Sequence, residues 1–417
     1  MNEYVSFTDR ERYNVKVAVI GGGASGLTAA ISAAKQGAQV TVFEKNNRVG
    51  KKILMTGNGK CNLSNKSLSE EYYYSGDRAF VLSALEKFGF MDTVMFFNGL
   101  GLLLTEKNGG IYPHSEQASS VLDALRFEVS SLGINLLCDK KVDDIVRSGK
   151  GFTVKSGDDK ETFDRVIIAC GGKAAPATGS DGSGYKLAAA LGHSVLPTYP
   201  ALAGIRCEGD FWKITSGVRC AAALLIENDE SGYGASYGEL QFTDYGISGI
   251  PAFQISRIVA GLLGENKTVS IDIDLFPEVD EMTLFNELSA RIVLLQDRNI
   301  HQILSGVMNK KLATLVCKFS NLSQDAFFSD DCKELNSIIS VIKHFRVHAK
   351  GVNPYEQAQC TAGGIPLSEI DGFFESKICK GLYFCGEILD VDGLCGGYNL
   401  QWAWTSGHIA GEAASGC

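Results

Sequence analysis

The chain has 417 residues, 45% of them hydrophobic and 21% charged, with 39 basic against 48 acidic side chains for a net charge of −9. That length predicts two or three domains, the composition excludes a disordered or collagen-like chain, and the acidic balance argues against nucleic acid as a partner. The twelve cysteines contain no CxxC pair and no apolar leader or membrane-length apolar run is present, so free thiols, no membrane span and a cytoplasmic setting are expected.

Val15, Val17, Val19 and Ile20 form a short β-branched strand. Gly21-Gly22-Gly23-Ala24-Ser25-Gly26 follows and fits G-x-G-x-x-G. The next residues predict a helix with Leu27, Ala30, Ile31 and Ala34 on one face and Gly37 as its stop. A second strand, AQVTVFE, ends at Glu44, 18 residues after Gly26. Each part has a task at a dinucleotide. Gly21 permits the sharp turn, Gly23 lets a pyrophosphate approach the backbone, and Gly26 lets helix pack on strand. Ala24 and Ser25 open the helix, whose N–H groups and dipole favour phosphate. The offset of Glu44 suits a carboxylate that binds ribose hydroxyls. A plain βαβ unit would not need three glycines and an acid so placed.

After Glu44 the sequence KNNRVGKKILMTGNGKCNLSN continues as a long loop without the helix of an NAD-only domain. This favours FAD, whose ribityl chain and ring need such a passage. The candidate contacts here are Lys45, Gly50, Lys51, Lys52, Gly57, Asn58, Gly59, Cys61 and Asn62. Cys61 has no second cysteine nearby, as a disulfide reductase would need, so it reads as a packed thiol. His114, after Tyr112-Pro113, is a weak proton-donor candidate and more readily a loop or capping residue.

An amphipathic helix is expected from Ser115 to about Leu132. Strands are expected near Ile134–Cys138, Val142–Val146 and Phe152–Lys155, followed by the buried strand FDRVIIACGG, which closes on Gly171-Gly172. From about Leu196 short alternating strands take over, and from Glu278 to about Phe345 the pattern is helical. His344 and His348 lie four apart, but no further ligand completes a set, so no metal is expected. Gln359 to Pro366, QCTAGGIP, brings Thr361 and two glycines that suit approach to a flat ring.

The end of the chain, from Gly381 to Gly411, predicts strand, turn and helix. Gly396-Gly397 opens the helix, and Leu400, Ala403, Trp404, Gly407 and Ala410 follow its period. Its first N–H groups, at Gly397, Tyr398, Asn399 and Leu400, suit the pyrimidine edge of a reduced flavin. Glu387 and Asp390 suit the ribityl hydroxyls. Tyr355 and Tyr398 are further proton donors, and nothing in the sequence selects among Tyr398, His114 and Thr361 as a catalytic group.

The segments GGGASGL, GKKILMTGNGKCNLSN, IYPHSEQASSVLDAL, IIACGGKAAPATGSDGSGY, LQFTDYGISGIPAFQISR, CTAGGIPLSEID and CGEILDVDGLCGGYNLQWAW resemble the BaiN/YhiN-type flavoproteins, a branch of the two-domain NAD(P)/FAD-dependent oxidoreductases. The resemblance runs from about Val15 to Gly411. It implies an α/β fold with a Rossmann-like FAD-binding domain in two segments, 14–195 and 355–417. A β-rich and then helical substrate domain, 196–354, is inserted between them. It also implies a backbone contact of Val142 to adenine. Relatives read T-H-x-G-x-S-G-P where this chain has Thr243-Asp244, so no role of that histidine transfers.

The activity implied is reduction of a C=C bond conjugated to a ketone, as in a 3-oxo bile-acid intermediate. The alternatives are oxidation of a small amine by oxygen and a flavin-binding regulatory role. No second G-x-G-x-x-G unit is present, so NAD(P)H is expected only as a transient hydride donor. Substrate, nicotinamide preference and oligomeric state are not fixed by these residues.

Overall fold

The computed structural model describes residues 15–227, 234–329 and 332–416. They form two compact units, one running to Thr198 and resuming at Gly363, the other Tyr199–Ala362. These changeovers lie later than the expected 195/196 and 354/355. Cys360–Ala362 pairs antiparallel with Tyr199–Ala201, and that ribbon keeps both strands, and Thr361 with them, in the inserted unit.

In the first unit β1 (Lys16–Ile20) leads into α1 (Ala24–Lys35) and β2 (Gln39–Phe43). Helix α2 (Ala118–Ser131) precedes β3 (Asn135–Leu137), and β4 (Arg165–Ile168) comes later. Helix α1 ends as Gly37 takes a φ of 94° and its N–H caps Ala34, a conformation glycine adopts without a Cβ penalty.

In the inserted unit β5 (Ile205–Cys207), β6 (Arg219–Ile226), β7 (Ala235–Phe242) and β8 (Gly246–Gly249) are followed by α3 (Ile250–Gly264) and β9 (Val269–Asp274). Four helices follow, α4 (Glu281–Leu294), α5 (Ile300–Ser305), α6 (Lys310–Phe319) and α7 (Lys333–Lys343), and then β10 (Phe345–Val352). The chain returns to the first unit with β11 (Leu382–Phe384) and α8 (Tyr398–Ala414).

The first unit is built on a five-stranded sheet in the order β11-β4-β1-β2-β3, parallel throughout. Val17 to Val19 and Val166 to Ile168 are fully buried, as strands covered on both faces must be. Helix α8 lies along α1. A Cβ on Gly407 would come within 2.5 Å of the Ser25 carbonyl, and one on Gly411 within 2.3 Å of that of Ala29. Only glycine lets the two backbones approach so closely.

The inserted unit is a closed barrel in the order β5-β8-β7-β6-β9-β10. Its inward positions, among them Leu224, Leu240, Ile247, Ile271 and Val347, form a second core with the helices. Alternation along β9 and β10 is regular, as expected when one face packs and the other meets solvent.

Candidate dinucleotide site

Helix α1 starts at Gly23 with no side-chain cap, which leaves its first N–H groups for a ligand. The neighbouring glycines differ in purpose. Gly21 has a φ of 110°, and a Cβ there would lie 2.5 Å from the Ala169 carbonyl. A Cβ on Gly26 would lie 1.9 Å from Gly21 O, so Gly26 seats helix on strand. A Cβ on Gly23 would meet nothing within 4 Å, so open space lies beside the helix start. Gly50 N–H donates to Gly22 O at 2.8 Å and fixes the loop from the other side.

Glu44 is buried at the end of β2. Its Oε2 accepts the Gly22 N–H at 3.0 Å. Its Oε1 accepts the Asn46 N–H and side-chain amide at 2.8 and 2.7 Å. Asn46 also donates to Thr178 O, and Lys45 pairs with Asp181 at 2.6 Å. Burial opposes ionisation of Asp181, but Lys45 and Ser183 outweigh it and hold the carboxyl down at about 2. The loop after Gly171-Gly172 is thus tied to the end of β2. Val142 is buried close by in sequence to Lys140, whose N–H donates to Glu44 O.

Within the stretch from Lys51 to Asn62, Ile53–Gly59 is two 3-10 turns joined by a kink at Thr56, Gly57 and Asn58. Lys51 donates to Asn46 Oδ1 at 3.3 Å. Lys52 pairs with Glu387 at 2.6 Å, linking residues 335 apart. Gly57, Asn58 and Gly59 are exposed with positive φ. Cys61 is fully buried, and burial pushes its thiol up to about 12. That protonated state suits packing, since the thiolate is the reactive form. Asn62 places its Oδ1 2.9 Å from where a Gly397 Cβ would stand.

After β11 the chain turns at Gly386, where a Cβ would lie 2.4 Å from Ser25 Oγ. Glu387 therefore stands beside the start of α1. Asp390 is buried and donates its N–H to Ile365 O at 2.9 Å. Helix α8 begins at Gly397, with a φ of 101° and no side-chain cap. Asn399 is clamped to Gly393 through both amide atoms, and Leu400 is half-buried. Tyr398 is buried, stacks on Tyr72 at 4.8 Å, and has its phenol pushed up to about 12 by burial, with Tyr72 adding to the effect.

Gly407 touches Ser25, and ten residues separate it from Gly397. At 1.5 Å per residue the second helix start lies about 15 Å along α8 from the first. Two uncapped helix starts at that spacing, with Glu44 bonded to the glycine loop and Glu387 beside the start of α1, fit the diphosphate, ribityl chain and ring edge of a flavin dinucleotide.

His114 is exposed and its N–H donates to Leu103 O. Thr361 is buried in the inserted unit opposite Pro200. His344 lies between Asp272 and Glu281, whose hydrogen bonds raise its pKa. Among the described residues no cluster of three or more His, Cys, Asp or Glu is placed to hold a metal ion. No described helix is long and apolar enough to cross a membrane. Sequence reasoning missed Asn46 and Asp181. The acid-plus-amide pair Glu44/Asn46 was a usable local signal; Asp181 has none, since its partner lies 136 residues away.

The family described as HI0933-like protein Rossmann domain matches residues 15–413. The chain belongs to that family. The resemblance to BaiN/YhiN-type flavoproteins holds across the HI0933-like chain. It is 38% identical over 405 residues, 96% of itself and 99% of its relative, to the 3-dehydro-bile acid delta(4,6)-reductase of Clostridium scindens. It is 30% identical over 408 residues, 95% and 98% of the two chains, to the ribosomal RNA dihydrouridine synthase of Haemophilus influenzae. Among solved structures, 3-ketosteroid delta1-dehydrogenase from Sterolibacterium denitrificans superposes over 96% of this chain and 99% of its own, with a TM-score of 0.51 at 12% identity. That likeness shows a shared fold.

Proposed function

We propose that the chain is an FAD-dependent oxidoreductase that saturates a carbon–carbon double bond conjugated to a ketone, with NAD(P)H as electron donor and a 3-dehydro bile acid or related steroid enone as substrate class. The observation that carries the flavin is the pair of uncapped helix starts on α1 and α8, set by the glycine seam at a flavin-sized spacing. The 38% identity to a bile-acid reductase over nearly the full length of both chains supports the reaction class.

FAD, when bound, supplies the hydride chemistry. The start of α1 with Gly23, Ala24 and Ser25 would hold the diphosphate, Glu44 the ribose hydroxyls and Val142 the adenine. Glu387 and Asp390 would hold the ribityl chain, and the N–H groups from Gly397 to Leu400 the pyrimidine edge. Tyr398 keeps its proton throughout the physiological range because burial disfavours the phenolate, so its hydroxyl suits proton donation to the substrate's α-carbon.

The identity to a ribosomal RNA dihydrouridine synthase supports a second substrate of the same reaction class. The uracil double bond is also conjugated to a carbonyl. A net charge of −9 favours the small substrate over a phosphate polymer.

The test is anaerobic. Purified protein loaded with FAD is mixed with NADH, NADPH or a small amine, and flavin bleaching is followed. Bleaching by NAD(P)H, with colour restored by a 3-oxo-4-ene bile acid, is expected. Restoration only by uridine-containing ribosomal RNA would move the substrate to the second reading. Bleaching by the amine alone would replace the reductase with an oxidase.

A further inference from the structure

Gly204 precedes β5 in the inserted unit. A Cβ there would stand 2.6 Å from the Tyr245 hydroxyl and 2.9 Å from Asn353 Nδ2. The bare α-carbon thus lets the Tyr245 hydroxyl and the Asn353 side-chain amide close onto it side by side. Arg206 adds a third, two residues along the same strand. Its Nε donates to Asn353 Oδ1 at 3.1 Å, and its guanidinium carbon lies 5.9 Å from the Tyr245 ring centre.

Asn353 is buried, and its N–H donates to Gly204 O at 2.8 Å. An arginine N–H can be accepted only by the amide oxygen, so Asn353 must present Nδ2 as a donor. Asn353 thereby orients the guanidinium and contributes a donor of its own. Arg206 itself is exposed and is paired across the strands with Gly246 and Gly351, so no side chain of a paired neighbour covers it. Among the described residues no carboxylate lies within ion-pair range of Arg206. Among those residues no protein acceptor meets its terminal nitrogens, Asn353 Nδ2 or the Tyr245 hydroxyl. A planar cationic fork pinned at Nε with its outer edge free is the arrangement that binds carboxylate or phosphate in two-point fashion.

We propose that Arg206, Asn353 and Tyr245 form a receptor for an oxyanion, the carboxylate or phosphate of a bound ligand, built on the inserted unit alone. It does not depend on the flavin reading. The test modifies the full chain with phenylglyoxal in phosphate-free buffer and follows Arg206 by peptide mass mapping. The additions are sodium cholate, the neutral alcohol of the same steroid frame, uridine monophosphate and uridine.

Cholate or uridine monophosphate is expected to slow modification of Arg206 about tenfold, while the neutral alcohol and uridine leave it unchanged. Protection by cholate alone assigns the site to a carboxylate, and by the nucleotide alone to a phosphate. Tyr245→Phe, which keeps the ring, is expected to weaken protection about threefold at the same ligand concentration. Absence of protection by either anion, or equal protection by the neutral compounds, overturns the proposal. So does full protection in both Tyr245→Phe and Asn353→Ala proteins that melt as the parent does.

Discussion

Three protein N–H groups point at the Glu44 carboxylate, from Gly22 and from the backbone and side chain of Asn46. The residue therefore shapes the glycine loop as well as offering oxygens to a ribose. Glu44→Gln keeps the size and removes the charge. Loss of hydrogen bonds to a charged group costs on the order of 1.5–3 kcal/mol, so FAD affinity is expected to fall about tenfold or more. Flavin fluorescence quenching measures it, and an unchanged dissociation constant would confine Glu44 to its own loop. Gly23 and Gly26 give a sharper contrast. Gly23 has an ordinary φ of −85° and open space around it. Gly23→Ala is expected to leave the melting temperature within a few degrees while FAD retention drops, because the methyl enters the phosphate space. Gly26→Ala drives a methyl into a backbone oxygen 1.9 Å away and is expected to lower stability by at least about 1–3 kcal/mol. If both variants behave alike in melting and in flavin content, the distinction between cradle and packing glycine fails. The turn at Gly21 and the helix packing at Gly26 were legible in the motif spacing. The partners of Glu44 were not, because a Gly22–Glu44 contact joins residues 22 apart through space.

At the scale of elements, the spacing between α1 and α8 sets the geometry of the site. Both glycines of the seam sit on the buried side of α8, and their missing side chains bring Ser25 and Ala29 into backbone contact. Gly411→Val would push the helices apart near the end far from Gly397. Overpacking of this kind costs typically about 1–3 kcal/mol. It would also tilt the start of α8 relative to α1, so melting temperature and FAD affinity are expected to fall together. A lower melting temperature with unchanged FAD affinity would show that the two helix starts are positioned independently of the seam. The sequence period predicted α8 and placed Gly407 on its packed face. It did not predict the helices Arg78–Lys87 and Phe90–Gly99. Their start signals were present. Asp77 caps Phe80 N–H at 2.9 Å, and Asp92 reaches back to Gly89 N–H at 2.9 Å. Exposed apolar side chains are what hid the second of them: Met91 and Met95 face solvent, which blurs the face that periodicity relies on.

At the scale of the whole molecule, two long returns of the chain could not be read from local pattern. Strand β5 pairs with β10 across some 140 residues to close the barrel, and β11 joins the parallel sheet only after the entire insertion. Within the first unit, the exit and re-entry of the chain are stapled together. Leu196 N–H donates to Gly364 O at 2.8 Å. His193 is buried, with Nδ1 at 2.7 Å from Glu369 and Nε2 at 2.7 Å from Ser376. Burial lowers the His193 pKa from 6.5, with Glu369 opposing in part. Burial also disfavours the Glu369 carboxylate, but hydrogen bonds from Ser194 and His193 outweigh it and lower its pKa from 4.5. Both folded pKa values lie below their unfolded ones, so both groups act in the same direction. The unfolded chain takes up protons first as pH falls, so the staple's contribution is full above pH 6.5 and is lost progressively below it. Holding the imidazole neutral requires Ser376 to donate to Nε2, since Glu369 takes the proton on Nδ1. A protonated ring would put a second donor against that hydroxyl proton and force Ser376 to turn, although its oxygen also accepts the N–H groups of Ile378 and Cys379 at 3.0 and 2.7 Å. His193→Gln is therefore expected to lower the melting temperature at neutral pH, by the equivalent of about 1–3 kcal/mol. It should also flatten the part of the melting-temperature profile below pH 6.5 that His193 supplies. Thermal melts of parent and variant across that range measure the difference. Parallel profiles would show that His193 does not titrate with unfolding, and the staple would then owe nothing to its neutral state.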